Sequence, residues 1–142
     1  MRFVMLVKAS VESEAGVLPD EKILSEMGRF NDEMVKAGVM LAGEGLQGSS
    51  KGTRIRYSAG EPTVIDGPFD RVEELVAGFW LIQARSKEEA VEWSKRVPFQ
   101  DGEVEVRQVF ELSDFPQDPA EEPDGWRAQE QRQRVRSGLA EN

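Results

Sequence analysis

The sequence predicts an α+β domain with the element order β-α-β-β-α-β, followed by an arm. Three observations carry this reading. Arg2–Lys8 (RFVMLVK) and Val76–Ala84 (VAGFWLIQA) are short, almost continuously apolar runs, the pattern of strands buried on both faces. Two segments, one beginning near Pro19 and one at Ser86, repeat apolar residues at helical spacing. From Ser113 the chain becomes acidic and proline-punctuated, which marks the end of the packed domain.

Each element follows from local chemistry. Ser10 to Gly16 is small and polar and reads as a loop. The first helix is placed from Pro19, since proline suits the first helical position and Asp20 and Glu21 suit the positive end of the dipole. Its apolar stripe is Ile23, Met27, Phe30 and Met34, flanked by Leu24 and Val35, and Gly38 is placed to end it. Val39–Leu46 (VMLAGEGL) is the second strand. Thr53–Ser58 and Pro62–Asp66 form a hairpin around Ala59-Gly60-Glu61, with a turn-rich loop at Asp66-Gly67-Pro68-Phe69 and a short helical turn over Asp70–Leu75. After the apolar strand, Ser86 and Glu89 form a capping box, Ala90, Trp93, Ser94 and Val97 trace one helix face, and Pro98 stops it. Val104–Leu112 alternates, as a last strand near a sheet edge does. The domain is thus assigned to residues 1–112. Residues 113–142 are an acidic arm, partly irregular, with a short helix at Trp126–Arg136.

Composition removes whole classes of chemistry. The 142 residues contain no Cys, so thiolate nucleophiles, disulfides and thiolate metal sites are out. They contain no His, so imidazole is absent as base, triad member or metal ligand. With 27 acidic against 18 basic residues the formal charge is −9, which repels phosphate backbones and argues against a nucleic-acid partner. The apolar run at the N-terminus is too short for a membrane span or a signal segment, so no membrane association is expected and the cytoplasm is the expected location. No nucleotide-binding glycine fingerprint, phosphate loop or nucleophile elbow is present, and no cofactor or metal is expected.

Two β-α-β units joined through a hairpin define a ferredoxin-like arrangement. Two helices cover one face of a four-stranded sheet, yet FVMLV and VAGFWLI are apolar at both parities. A second copy packed sheet against sheet is the simplest cover, so a homodimer is expected.

AGVMLAGEGL (37–46), Val64-Ile65-Asp66-Gly67-Pro68-Phe69, Gly78-Phe79-Trp80-Leu81-Ile82 and Glu89-Ala90-Val91-Glu92-Trp93 occur in a distinctive order. In this order the chain resembles the YCII-related family, specifically its DGPF-domain branch, over about residues 1 to 112. The resemblance implies a dimeric α+β barrel. Relatives of this kind are often bacterial proteins of unassigned activity, some linked to extracytoplasmic-function sigma factors. The wider fold group holds isomerases, dehydrochlorinases and monooxygenases, which fixes no reaction here. Two departures matter. Glu73 stands where such relatives often carry Lys, and the His–Asp pair of another branch has no counterpart in a chain without His.

The candidate site is read as follows. Asp66 closes an apolar strand before Gly-Pro and is expected at a rigid, partly buried position, where burial raises a carboxylate pKa and suits acid–base work. Its alternative role is to accept hydrogen bonds from the amides of the following turn. Glu44, between Gly43 and Gly45, either lies exposed in a groove or pairs with Arg54 or Arg56 across strands. Gly67 and Pro68 form the turn, and Phe69 either walls a pocket or anchors the loop. Glu73 and Glu74 either join Asp66 in a carboxylate cluster or line a solvated turn. Arg54, with Arg56 and Lys51, either holds an anionic ligand or faces outward. Phe79 and Trp80 point to opposite faces, one toward the helices and the other toward an interface or pocket.

The assembled expectation has Asp66 and Glu44 as the acid–base pair, and Gly67, Pro68, Phe69, Glu74, Phe79, Trp80 and Arg54 around a small organic ligand. Three functions remain open: a ligand binder with its pocket near the DGPF loop, a cofactor-independent isomerase or lyase acting on a small organic acid or lactone, and a protein-interaction module tied to regulation.

Overall fold

The structure, a computed structural model, describes residues 1–116 and 125–138. Its elements run β1 (Arg2–Lys8), α1 (Val11–Glu14), α2 (Glu21–Lys36), β2 (Met40–Gly45), β3 (Thr53–Ser58), β4 (Glu61–Asp66), β5 (Val76–Gln83), α3 (Lys87–Lys95), β6 (Val104–Gln108) and α4 (Trp126–Arg136). Two compact units divide at Val109 and Phe110.

In the first unit a four-stranded antiparallel sheet has the order β2-β5-β1-β6. With α2 linking β1 to β2 and α3 linking β5 to β6, this is compatible with the expected ferredoxin-like fold. The core lies between the sheet and the two helices. Phe3 and Met5 of β1 and Trp80 and Ile82 of β5 meet Phe30 and Met34 of α2 and Ala90 of α3, with Val104 and Val106 of β6 beside them. Phe3, Met5, Met34 and Ile82 are completely buried, and each such side chain contributes about 1.5–3 kcal/mol by leaving water. Of the expected α2 stripe, Phe30 and Met34 are buried and Ile23 and Met27 half-buried, whereas Leu24 and Val35 are exposed because they lie off it.

β3 and β4 form a separate two-stranded sheet in the connection between β2 and β5. Its two-residue turn is Ala59-Gly60, with φ of 48° and 80°, the sign pattern that fits the twist of a hairpin.

Three local expectations are corrected. Ser10 to Gly16 is not all loop. The Ser10 hydroxyl accepts the Ser13 amide at 3.1 Å and the Ser13 hydroxyl accepts the Ser10 amide at 2.9 Å, a capping box that starts α1. Pro19 lies outside α2, whose N-cap is Asp20, with Oδ1 accepting the Ile23 amide at 2.8 Å. Before α3, Ser86 caps the Glu89 amide as expected, but the Glu89 carboxylate reaches the Arg85 amide rather than that of Ser86. The Arg85 amide, and then its guanidinium, hold the Glu89 carboxyl below the usual glutamate range. Gly38, Pro98 and the edge position of β6 follow the sequence. At Gly38 (φ 70°) the amide donates to Val35 O, and the Val39 amide donates to Met34 O, which closes the helix in a Schellman turn.

In the second unit, α4 spans the expected Trp126–Arg136. Arg134 donates to Glu111 at 2.8 Å and to Glu130 at 3.1 Å. Burial opposes the Arg134 charge, but these two carboxylates outweigh it and raise its pKa. Trp126 packs edge-on against Phe115 with centroids 5.4 Å apart. The expected linker residues Asp118, Pro119, Glu121, Glu122 and Pro123 lie outside the described residues.

Two turn substitutions should have opposite signs. Gly38→Ala places a Cβ at positive φ and is expected to cost about 1 kcal/mol. Ala59→Gly relieves the same strain at the hairpin and is expected to stabilise by about 0.5 kcal/mol once the added chain entropy is subtracted. Urea midpoints at unchanged m-value check both.

Candidate functional site

The DGPF loop is held by two segments distant in sequence. Ser49, in a 3₁₀ turn at Ser49–Lys51, donates both its amide, at 3.0 Å, and its hydroxyl to the carboxylate of Glu14 on α1. The same hydroxyl accepts the Phe69 amide at 3.0 Å. One serine thereby ties α1 to the loop, and an ionised carboxylate makes these bonds stronger than neutral ones. The Gly67 amide donates to Gly52 O at 2.9 Å, and a Cβ on Gly67 would stand 1.8 Å from Ser49 O. Only glycine fits there. The Gly67–Pro68 peptide is cis.

Asp66 is exposed and accepts a hydrogen bond from the Thr53 hydroxyl at 2.9 Å. Neither expectation for its surroundings holds: it is not partly buried, and its partner is a cross-strand side chain rather than the following turn amides. The reason is register. Thr53 pairs directly with Asp66 at the base of the hairpin. Phe69 is half-buried under the Arg54 guanidinium, 3.8 Å from its ring centroid, a cation–π contact. Glu74 is exposed and pairs with Arg71 at 3.3 Å. Glu73 and Glu74 are exposed on the 3₁₀ turn Val72–Glu74, which fits the solvated-turn alternative, and no group of three or more carboxylates suited to a metal exists among the described residues.

The second part of the candidate site is the sheet face away from the helices. Residue alternation sends Trp80 toward the helices and Phe79 to the opposite face. Trp80 sits edge-on to Phe30 at 5.5 Å, and its Nε1 donates to Asn31 Oδ1 at 2.9 Å. Gly43 admits it, since a Cβ there would stand 2.7 Å from Trp80 Cδ1. Trp80 is therefore a core residue. Across the outer face, Glu44, Phe79, Leu6 and Glu105 form one row, and Ala42, Leu81, Val4 and Arg107 the next. Val4, Leu6, Phe79 and Leu81 are left half-buried. Glu44 is exposed and has no hydrogen-bonding or ion-pair partner among the described residues. The expected pairing with Arg54 or Arg56 is not made, because β2 pairs only with β5 while β3 pairs only with β4. Glu14 and Ser49, which organise the loop, were not among the expected residues. They are 35 positions apart, and nothing local in the sequence links them.

A groove of about 460 Å³ lies between α3 and β6, lined by Val91, Val97, Phe99, Val104 and Val106 among others, and shares no residue with the DGPF loop.

A family model described as the YCII-related domain matches residues 1–113. The chain belongs to the YCII family. It is also 31% identical over 86 residues to an uncharacterised protein of Rhizobium meliloti (strain 1021), a match covering 61% of this chain and 69% of that protein. No helix of this YCII protein among the described residues is long and apolar enough to cross a membrane.

The loop geometry predicts a contrast between glycines. Gly67→Ala forces the loop off Ser49 O and should cost about 3 kcal/mol. Gly45→Ala, whose Cβ meets nothing within 4 Å, should stay within about 0.5 kcal/mol of wild type. Equal losses at both positions, in chemical denaturation, would contradict the packing described.

Proposed function

We propose that this YCII protein belongs to the DGPF branch and works in the cytoplasm as a homodimer. In this reading it binds a small organic ligand near the DGPF loop, on the sheet face that its own helices leave uncovered. The observation that carries this is Glu44. It is exposed, has no partner among the described residues, and stands in register with Phe79 next to the half-buried Leu6, Leu81 and Val4. Such a group suits the task of orienting a ligand in an apolar setting. The DGPF loop leads through a 3₁₀ turn at Val72–Glu74 into β5, the strand that carries Phe79, so the Glu14–Ser49 anchor also steadies the entry to this face. Binding ranks above proton-transfer catalysis because Asp66 is exposed and engaged by Thr53. It lacks the desolvation on which the acid–base reading rests.

A thermal-shift screen of organic acids, lactones and aromatic metabolites tests the proposal. A ligand at about 100 times its Kd should add roughly 2.7 kcal/mol. The expected result is stabilisation that is lost in both Glu44→Ala and Phe79→Ala and retained in Phe99→Ala. Stabilisation lost only in Phe99→Ala would move the site to the α3–β6 groove and overturn the proposal.

A further inference from the structure

Residues 10–19, between β1 and α2, are bonded mainly to themselves. The Glu14, Ala15, Gly16 and Val17 amides donate to Ser10 O, Val11 O, Ser13 O and Glu12 O, and Ser10 and Ser13 cap one another. No residue of α1 is buried, and Val11, Val17 and Leu18 are 71%, 61% and 83% exposed. The ends of the segment are fixed: the Ala9 amide donates to Leu75 O at 3.0 Å, and Asp20 caps α2. Between those ends, the one polar tie to the rest of the chain among the described residues is Glu14, whose carboxylate accepts the Ser49 amide and hydroxyl. Gly48 lets the Glu14 backbone come close, since a Cβ there would stand 3.0 Å from Glu14 O. A segment with local hydrogen bonds and little buried apolar surface opens at a lower free energy than the core.

We infer that residues 10–19 form a strap that opens, with the Glu14 carboxylate as its catch, and that its opening frees Phe69 in the DGPF loop. The coupling runs through one hydroxyl. Ser49 donates its hydroxyl proton to Glu14 while the same oxygen accepts the Phe69 amide at 3.0 Å. A serine hydroxyl has one proton and two lone pairs, so a carboxylate that fixes the proton also turns a lone pair toward Phe69. Donation to a charged acceptor makes that oxygen a better acceptor in turn. With the strap open the hydroxyl rotates, and Phe69 is left held at its ring by Arg54. The Gly67 amide stays on Gly52 O, so the base of the loop is not part of the movement.

This rests on the proposed ligand site near the DGPF loop, for which it supplies a gate. The strap leaves β1 and the loop enters β5 at the same end of the sheet, where Lys8 pairs with Val76. The row of Glu44, Phe79 and Leu6 lies close to that end. Coupling between strap and loop is reciprocal: a ligand that needs Phe69 in place closes the strap, and a closed strap presents the loop in its binding shape. Glu14 acts as a positioning residue through Ser49, without touching the ligand.

Amide hydrogen exchange on the full chain tests the strap without a ligand, so its outcome is separate from that of the ligand screen. Glu14→Gln keeps the shape of the catch but replaces a charged acceptor by a neutral one. It is expected to speed exchange at the Ser49 and Phe69 amides by roughly tenfold, with the amides of the central strands β1 and β5 unchanged. Ser49→Ala removes the hydroxyl and should also speed exchange at Phe69. Adding Glu14→Gln to Ser49→Ala should then change Phe69 no further, since the effect of Glu14 passes through that hydroxyl. Additive effects at Phe69, or a Glu14→Gln protein in which Phe69 is unchanged, would overturn the inference. So would equal acceleration in β1 and β5, which would make Glu14 a support of the whole fold.

Discussion

The structure depends on a mismatch between one sheet and its cover. Four strands present two faces, and α2 and α3 occupy only one of them. On that face Phe3, Met5, Trp80 and Ile82 are packed to near-complete burial. On the other, Val4, Leu6, Phe79 and Leu81 are as apolar but half-buried. Burial of such side chains is the main favourable term in folding, so this second face is where the proposed ligand and the proposed second copy are placed. Glu44 stands on that face without a partner among the described residues, and on the β3–β4 hairpin Ile55, Tyr57 and Val64 are exposed. The proposed site and the proposed dimer both rest on this face of the sheet.

The DGPF segment contributes through shape and hydrogen bonding. Gly67 is there because Ser49 O leaves no room for a side chain, and Phe69 is held at its amide by the Ser49 hydroxyl and at its ring by Arg54. Glu14 fixes Ser49 in turn. Three short segments that have little helix or strand of their own are thereby tied together, which suits a loop beside the proposed binding surface.

Much of the fold was legible because its signals are local. The α2 stripe, its glycine stop, the hairpin turn, the Ser86 cap and the extents of β3 and α4 all follow from spacing and turn chemistry. The candidate site was legible only as a set of residues. Alternation showed that Phe79 and Trp80 face opposite ways, but VAGFWLI is apolar at both parities, and Gly43 and Asn31 on other elements decide which one turns inward. Glu44 could be noticed, but not its lack of a partner among the described residues, since that depends on β3 pairing with β4 alone. The Glu14–Ser49 anchor joins residues whose sequence neighbourhoods give no hint of each other, and the hydrogen bond between Thr53 and Asp66 needed the hairpin register.

The most direct measurement is the mass of the wild-type chain in solution by sedimentation equilibrium, from low micromolar concentration upward. An apolar sheet face covered by a second copy predicts about twice the 15.9 kDa chain mass throughout. A stable, folded monomer across that range would contradict it, and would mean that the outer face of this sheet tolerates water.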